Sequence, residues 1–137
     1  MNAAAATETR TVTVERDIPF PPEKIWRALT QPHLIEEWLM KNDFSLKVGH
    51  KFQLRGDWGA ADCEVLEIDP NKSLTYTWNA MGLESTVTFT LTKTGTGTHL
   101  RMDQAGFPLN YERAYQGAKF GWQKFLANLE QLLAKED

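Results

Sequence analysis

The sequence predicts an α+β fold in which an antiparallel sheet of about seven strands wraps around one long C-terminal helix. Polar and apolar residues alternate along much of the chain, which is the period of strands that are buried on one face. Short turn segments, most of them with Gly, interrupt this alternation between Asp43 and Gln104. From Asn110 onward the apolar residues recur at helical spacing instead. Two short helices are expected directly after the first strand.

The length and composition predict a single domain. The chain has 137 residues, of which 42% are apolar and 11% aromatic. This suffices for one hydrophobic core, because domains average about 150 residues. The opening segment MNAAAATE has no strand or helix pattern. We therefore expect residues 1–8 to form a flexible tail and residues 9–137 to form the domain.

The charge and hydropathy patterns exclude two classes of partner. Lys and Arg number 15 against 18 Asp and Glu, a net charge of −3, and the two signs alternate along the chain. We therefore expect no nucleic-acid binding. No apolar run approaches the roughly 18 residues that a membrane-spanning helix needs, and the N-terminus does not resemble a signal peptide. The sequence predicts a cytoplasmic protein with no membrane span.

The first strand and the two short helices follow from alternation and from proline positions. From Thr9 the stretch TRTVTVERDI places its apolar residues on one strand face, which Arg16 shares. The two prolines that follow end the strand and suit the first turn of a helix over residues 23–29. Pro32 ends that helix and opens a second one, which runs through Trp38.

The middle of the chain predicts six strands separated by five turns, so strands adjacent in sequence must pair antiparallel. At Val65 and Leu66 two apolar residues follow one another, which predicts a bulge or burial on both faces. The other strands have a legible inward face, which carries Phe52, Leu54, Trp58, Leu74, Tyr76, Trp78, Leu83, Val87, Phe89, Leu91, Leu100, Met102 and Gln104.

The C-terminal helix has two unlike halves. Asn110 suits its N-cap and Glu112 its first turn. The first half is rich in small residues and the second in large apolar ones: Ala114, Gly117, Ala118 and Gly121, then Trp122, Phe125, Leu129 and Leu133. Each glycine costs about 1 kcal/mol relative to Ala inside a helix. The glycines therefore indicate either close backbone contact with the sheet or space for a ligand.

Five tryptophans in one small domain favour the ligand interpretation, because apolar pockets are lined by aromatic side chains with a few polar groups. The polar side chains at inward positions are Gln104, Tyr76, Tyr115 and Arg16, and each is equally compatible with a hydrogen-bonded residue of the core or rim. We expect the pocket to be lined or bordered by Trp58, Tyr76, Trp78, Met102, Gln104, Tyr115 and Trp122.

No motif in the sequence predicts a metal or cofactor. His33, His50 and His99 fall on a helix, a turn and an outward strand position, so they do not converge on one ion. A glycine-rich phosphate loop, a G-x-S-x-G elbow and a C-x-x-C pair are all absent from the sequence. The single Cys63 has no partner for an internal disulfide and is either a small strand residue or a reactive thiol.

Four stretches carry a resemblance to a known superfamily: PPEKIWRALTQPHLIEEW, VGHKF, EVLEIDPNKSLTYTW and GWQKFLANLEQLL. Together they resemble the START-like (SRPBCC) superfamily, in the branch related to the C-terminal domain of the activator of the heat-shock-protein-90 ATPase. The resemblance implies a helix-grip fold with a pocket between the long helix and the sheet. The chain departs from many relatives at Leu39, where they have a second Trp, and at His50, where Gly is common. A polar pocket residue of relatives, often His, falls on Gln104.

The favoured function is binding of a small hydrophobic or aromatic molecule in that pocket, and the resemblance adds a link to stress. An alternative is an enzyme of the cyclase or hydrolase type in the same cavity. There Tyr76, Tyr115, Glu67 or Arg16 would serve as acid, base or anion stabiliser.

A third hypothesis is a chaperone-interacting module, which would need an exposed apolar patch. Trp38, Leu39 and Met40 lie together at a helix end and either begin such a patch or close a core. The sequence is compatible with both a monomer and a homodimer.

Overall fold

The computed structural model describes residues 8–135. Its elements follow in the order β1 (Thr9–Ile18), α1 (Pro22–Thr30), α2 (Pro32–Trp38), β2 (Lys41–Asn42), β3 (Lys51–Gly56), β4 (Gly59–Asp69), β5 (Ser73–Ala80), β6 (Leu83–Thr94), β7 (Gly97–Pro108) and α3 (Glu112–Lys135). The tail expected at residues 1–8 lies outside the described part of the chain, except for Glu8, which is exposed.

The seven strands form one antiparallel sheet in the order β1-β7-β6-β5-β4-β3-β2. Consecutive strands from β2 to β7 are neighbours in the sheet, and β1 pairs with β7. The helix α3 packs against the sheet and against both short helices. The predicted α+β architecture, with two early helices and a long C-terminal one, is confirmed.

Prolines define the two short helices. Pro22 and Pro32 each occupy a first turn, where the missing backbone N–H has no intrahelical partner to lose. Trp38 at the end of α2 donates its indole N–H to the carbonyl oxygen of Ala28 at 2.8 Å. This buried hydrogen bond ties α2 to α1, and the pair covers one part of the sheet's inner face.

Two bulges interrupt the alternation of side chains along the strands. One lies between Val65 and Glu67 on β4, as the sequence indicated, and it leaves Leu66 exposed. The other lies on β7, where Thr11 pairs with Ala105 but Arg10 pairs with Phe107. The extra residue is Gly106, with a φ of 113° that favours glycine.

The second bulge decides which side chains of β7 face inward. A Cβ at Gly106 would lie 2.8 Å from the backbone oxygen of Glu84, so the strands approach too closely there for another residue. Because the bulge shifts the alternation by one residue, Gln104 and Phe107 are both buried although they are three residues apart.

The helix α3 buries Trp122 near its middle and four leucines, Leu126, Leu129, Leu132 and Leu133, along its C-terminal half. Each fully buried leucine contributes about 1.5–3 kcal/mol relative to an exposed one. On the rim of this region, Arg16 of β1 pairs with Glu130 at 3.1 Å. Within residues 8–135, no helix combines the length and apolar character that crossing a membrane requires.

Candidate functional site

A cavity of about 400 Å³ lies between the N-terminal half of α3 and the sheet, and it is partly open to solvent. Its walls come from α3, β5, β6, β7, the hairpin turns beside them and the end of α2. The lining residues are Met40, Trp58, Trp78, Ala80, Met81, Leu83, Gln104, Phe107, Tyr111, Ala114, Gly117, Ala118, Gly121, Trp122 and Phe125.

The glycines of α3 border open space. A Cβ built on Gly117 meets no atom within 4 Å, and one built on Gly121 meets only the ring of Phe125, at 4.0 Å. Close contact between helix backbone and sheet would place sheet atoms within this radius. The two glycines, which lower the stability of the helix, therefore border a cavity and do not mark close packing of the helix on the sheet.

Aromatic side chains form the inner wall. The rings of Trp78 and Trp122 lie 5.5 Å apart at an interplanar angle of 60°, and Phe125 lies 5.5 Å from Trp122. Phe107 reaches the wall because of the Gly106 bulge, and the ring of Tyr115 supports it from behind at 5.8 Å. These edge-to-face contacts fix the rings, since such geometry matches the aromatic quadrupoles.

One chain of hydrogen bonds orients the polar floor of the cavity. Trp122 donates its indole N–H to Gln104 Oε1 at 2.8 Å, and Gln104 Nε2 donates to Ser85 Oγ at 2.9 Å. Ser85 in turn donates to the carbonyl oxygen of Trp78 at 2.6 Å. Gln104 is only 3% exposed. The network therefore holds a buried amide in one orientation at the cavity wall.

The mouth of the cavity lies at two hairpin turns and the start of α3. Trp58, in the β3–β4 turn, is 44% exposed, and Met81, in the β5–β6 turn, is 85% exposed. Met81 has a φ of 52°, a left-handed conformation that a side chain with Cβ rarely adopts. Tyr111 stands opposite, with its hydroxyl 3.6 Å from where a Cβ on Gly82 would lie.

The lining contains no Asp, Glu, Lys, Arg or His among the residues that the structure describes. Tyr111 carries the one ionisable group there, a phenol. The other polar side-chain groups there are the amide of Gln104 and the tryptophan N–H groups. An apolar wall with few polar atoms is the usual surface for holding a neutral organic molecule.

Four of the seven sequence-predicted site residues line this cavity: Trp58, Trp78, Gln104 and Trp122. Tyr76 and Met102 face inward but lie deeper, in the closed part of the core. Tyr76 contacts Phe52 and Phe89, and Met102 is fully buried.

Tyr115 lies on the side of α3 that faces β1. Its ring lies beneath the guanidinium of Arg10, 3.9 Å from the ring centroid. The structure therefore does not bring Tyr76, Met102 or Tyr115 to the cavity wall.

Other lining residues were missed because strand alternation does not describe them. Phe107 has the wrong parity unless Gly106 is recognised as a bulge, and a Gly inside a strand pattern is the available signal. Met81 and Tyr111 lie in connections, and Met40 follows a helix end. Only the fold places these three at the cavity.

The groups considered for acid–base chemistry do not meet in the cavity. Burial raises the pKa of Tyr76 well above its ordinary value, and nearby Cys63 adds to the shift. Glu67 is exposed, and Arg16 pairs with Glu130 and Gln123.

Burial raises the pKa of the Cys63 thiol to about 12, with contributions from the charges of Asp62 and Asp43. This keeps the thiol protonated at neutral pH and favours the interpretation of Cys63 as a strand residue. Within residues 8–135 no group of three His, Cys, Asp or Glu side chains is placed to hold a metal ion.

The apolar segment after α2 closes a core. Trp38, Leu39 and Met40 are all buried, so they do not form an exposed patch. Met40 also reaches the cavity wall.

Known proteins match the chain at the levels of family and fold. The family model described as Activator of Hsp90 ATPase homolog 1-like protein matches residues 19–134. The crystal structure of protein MLL2253 from Mesorhizobium loti is 62% identical, with a TM-score of 0.91 over 93% of this chain and 99% of that one. Among functionally curated proteins, none matches.

Two more distant structures share the fold. DynU16, a protein of the dynemicin biosynthetic locus, is 26% identical with a TM-score of 0.83, and the match covers 91% of this chain and 47% of that one. The Aha1 dimer from Colwellia psychrerythraea is 22% identical with a TM-score of 0.80, over 90% and 96% of the two chains. The resemblance found in the sequence is thereby confirmed: the chain belongs to the family of Activator of Hsp90 ATPase homolog 1-like proteins.

Proposed function

We propose that this protein binds a small hydrophobic or aromatic molecule in the cavity between α3 and the sheet. The observation that carries the proposal is the open space beside Gly117 and Gly121, which tryptophan and phenylalanine rings border on its inner side. A volume of about 400 Å³ lies within the range of roughly 300–1,000 Å³ that is typical of small-molecule sites.

Two further observations support this function. Burying the ligand against aromatic and aliphatic walls supplies the free energy of binding, and Gln104 supplies a polar contact. DynU16, a structure similar to this chain, comes from the biosynthetic locus of a natural product. A role in holding such a molecule agrees with the neutral wall of the cavity.

The experiment is a comparison of thermal unfolding and tryptophan fluorescence with and without a panel of neutral aromatic compounds. A ligand that binds only the folded state raises the Tm as its concentration increases. At 100 times the Kd it adds about 2.7 kcal/mol to the free energy of unfolding. Quenching of fluorescence should accompany the shift, because Trp58, Trp78 and Trp122 line the cavity.

A variant that fills the cavity sharpens this test. Gly117→Leu adds a side chain where no atom lies within 4 Å, so the fold should tolerate it while the ligand loses its space. Ala127→Leu, at an exposed position of the same helix, is the matched control. Ligand-induced stabilisation that survives in the Gly117 variant, or its absence from the wild type across the panel, would contradict the proposal.

A chaperone-related function is the second candidate, because the family's description names an ATPase activator. It predicts measurable binding of this chain to an Hsp90-type ATPase and a change in ATP hydrolysis. We retain both a monomer and a homodimer for this chain, as a similar structure is a dimer. Light scattering on the purified protein distinguishes these two states.

A further inference from the structure

We propose that the cavity selects neutral ligands that carry a hydrogen-bond acceptor at their inner end, such as a ring ketone, and that Gln104 recognises this acceptor. The inference rests on the proposed function and deepens it, because it names the chemistry of the ligand. It follows from the direction of the hydrogen bonds around Gln104 and from the absence of charge on the wall.

Which group donates and which accepts in each hydrogen bond of the network follows from the chemistry of the groups at its two ends. An indole N–H is only a donor, so the atom of Gln104 that faces Trp122 must be the amide oxygen. A backbone carbonyl is only an acceptor, so Ser85 must donate its hydroxyl hydrogen to Trp78. The Ser85 oxygen therefore accepts from Gln104 Nε2. No reversed arrangement satisfies all three contacts.

This network leaves one donor of Gln104 unused. The amide nitrogen carries two hydrogens, and one hydrogen bond from it is made within residues 8–135, to Ser85. The side chain is almost wholly buried and lies on the cavity wall. Buried donors without partners cost free energy, so a ligand that supplies an acceptor relieves this cost. A ligand that offers only a donor cannot.

The second element of selectivity is the neutral wall. Its described lining residues carry no carboxylate, ammonium, guanidinium or imidazole group. A charged ligand would lose its hydration in the inner part of the cavity and gain no opposite charge in return. The cavity should therefore reject anionic relatives of a neutral ligand that it accepts.

The test uses four compounds with nearly the same three-ring shape. Fluorene has no polar group, 9-fluorenone has an acceptor, carbazole has an N–H donor, and fluorene-9-carboxylate has a charge. We expect 9-fluorenone to bind about five- to tenfold more tightly than carbazole, which corresponds to one hydrogen bond. The carboxylate should bind at least about a hundredfold more weakly than the ketone.

Variants assign the preference to Gln104. Gln104→Leu removes the amide donor and should reduce the difference between ketone and carbazole, while the Trp122 N–H, which loses its acceptor, still offers one donor. Gln104→Glu retains an acceptor for Trp122, and when ionised it should prefer carbazole to the ketone. Thr98→Val is the control, because Thr98 is a buried residue that donates to the carbonyl oxygen of Phe20 away from the cavity. It should retain the ketone preference.

The outcomes distinguish failure of the proposed function from failure of the inference about ligand chemistry. If none of the four compounds binds at its solubility limit, the proposed function is contradicted and the inference with it. If the compounds bind but carbazole or the carboxylate equals the ketone, the function stands and the inference is overturned. Retention of the ketone preference in a folded Gln104→Glu protein, at a pH at which the introduced carboxyl is ionised, would also overturn it.

Discussion

The N-terminal half of α3 faces a cavity, whereas its C-terminal half faces a closed core. Both halves belong to one continuous 24-residue helix. The first half places Gly117, Gly121 and Trp122 at the cavity, and the second buries four leucines, Leu126, Leu129, Leu132 and Leu133. One helix can thus border an open space at one end. Packing in the other half holds the whole helix in position.

The largest expected effect lies in the packed half. Leu126 is fully buried, and Leu126→Ala removes its contacts and leaves a cavity where none exists. We expect a loss of about 2–5 kcal/mol in the free energy of unfolding, measured by urea titration. A loss below about 1 kcal/mol would mean that this half is not closely packed.

The second effect concerns the bulge that brings Phe107 to the cavity. Gly106→Ala places a Cβ 2.8 Å from the Glu84 backbone oxygen at a φ that disfavours alanine. We expect a loss of about 2 kcal/mol in the free energy of unfolding. Ligand affinity should fall as Phe107 moves. Unchanged stability, measured by urea titration, would show that β7 can relax there without cost.

A smaller effect of opposite sign is expected in the open half of α3. Gly117→Ala meets no atom within 4 Å and removes the helix penalty of glycine. We expect a gain of about 0.5–1 kcal/mol in the free energy of unfolding. Measuring the Tm of this variant beside that of Leu126→Ala compares the two halves of α3 directly. Destabilisation by this substitution would indicate that the helix backbone contacts the sheet after all.

The smallest effect lies on the outer face of the sheet, away from both halves. His99 contacts Asp17 at 2.8 Å and Glu15 at 2.7 Å, and these hydrogen bonds raise its pKa above the ordinary 6.5. Arg101 is the neighbouring cation on β7. The folded state holds the His99 proton more tightly than the unfolded state does. The contribution of these contacts to the free energy of unfolding is therefore complete below pH 6.5 and is lost as the pH rises through the raised pKa.

Urea titrations of the wild type and of His99→Gln at pH 6 and at pH 9 measure this effect. The wild type should exceed the variant by more at the lower pH. The difference should be modest, because the His99 side chain is 36% exposed and solvent screens the pair. If the difference in the free energy of unfolding is the same at both values of pH, the ion pairs of His99 are not its cause.

Much of the fold was predictable because strand alternation, turn residues and helical periodicity agree with one another. The inward faces of β5 and β6 follow directly from period-two patterns. Gly106 marks the limit of that approach, since a one-residue bulge reverses the alternation and brings Phe107 inward. Leu126 is buried although it lies beside Trp122, Phe125, Leu129 and Leu133, the large residues that the sequence singles out; α3 also packs on the two short helices, which widens its buried face.

The site was less predictable than the fold, because alternation tells inside from outside but not which inside positions stay open. Tyr76 and Trp78 share one face of β5, yet Tyr76 contacts Phe52 and Trp78 lines the cavity. Which of the two residues meets the cavity depends on the distance between α3 and the sheet at that point. Packing across the whole core sets this distance, and local sequence patterns do not record it.

Ligand binding in the cavity is tested most directly by a ¹H–¹⁵N spectrum during titration with 9-fluorenone, in which the five tryptophan indole N–H groups are the reporters. Trp58, Trp78 and Trp122 line the cavity, whereas Trp26 and Trp38 are buried away from it. We expect the first three signals to shift with a common Kd and the other two to remain in place. Shifts at Trp26 and Trp38 without shifts at the cavity tryptophans would place the ligand elsewhere and contradict binding in the cavity.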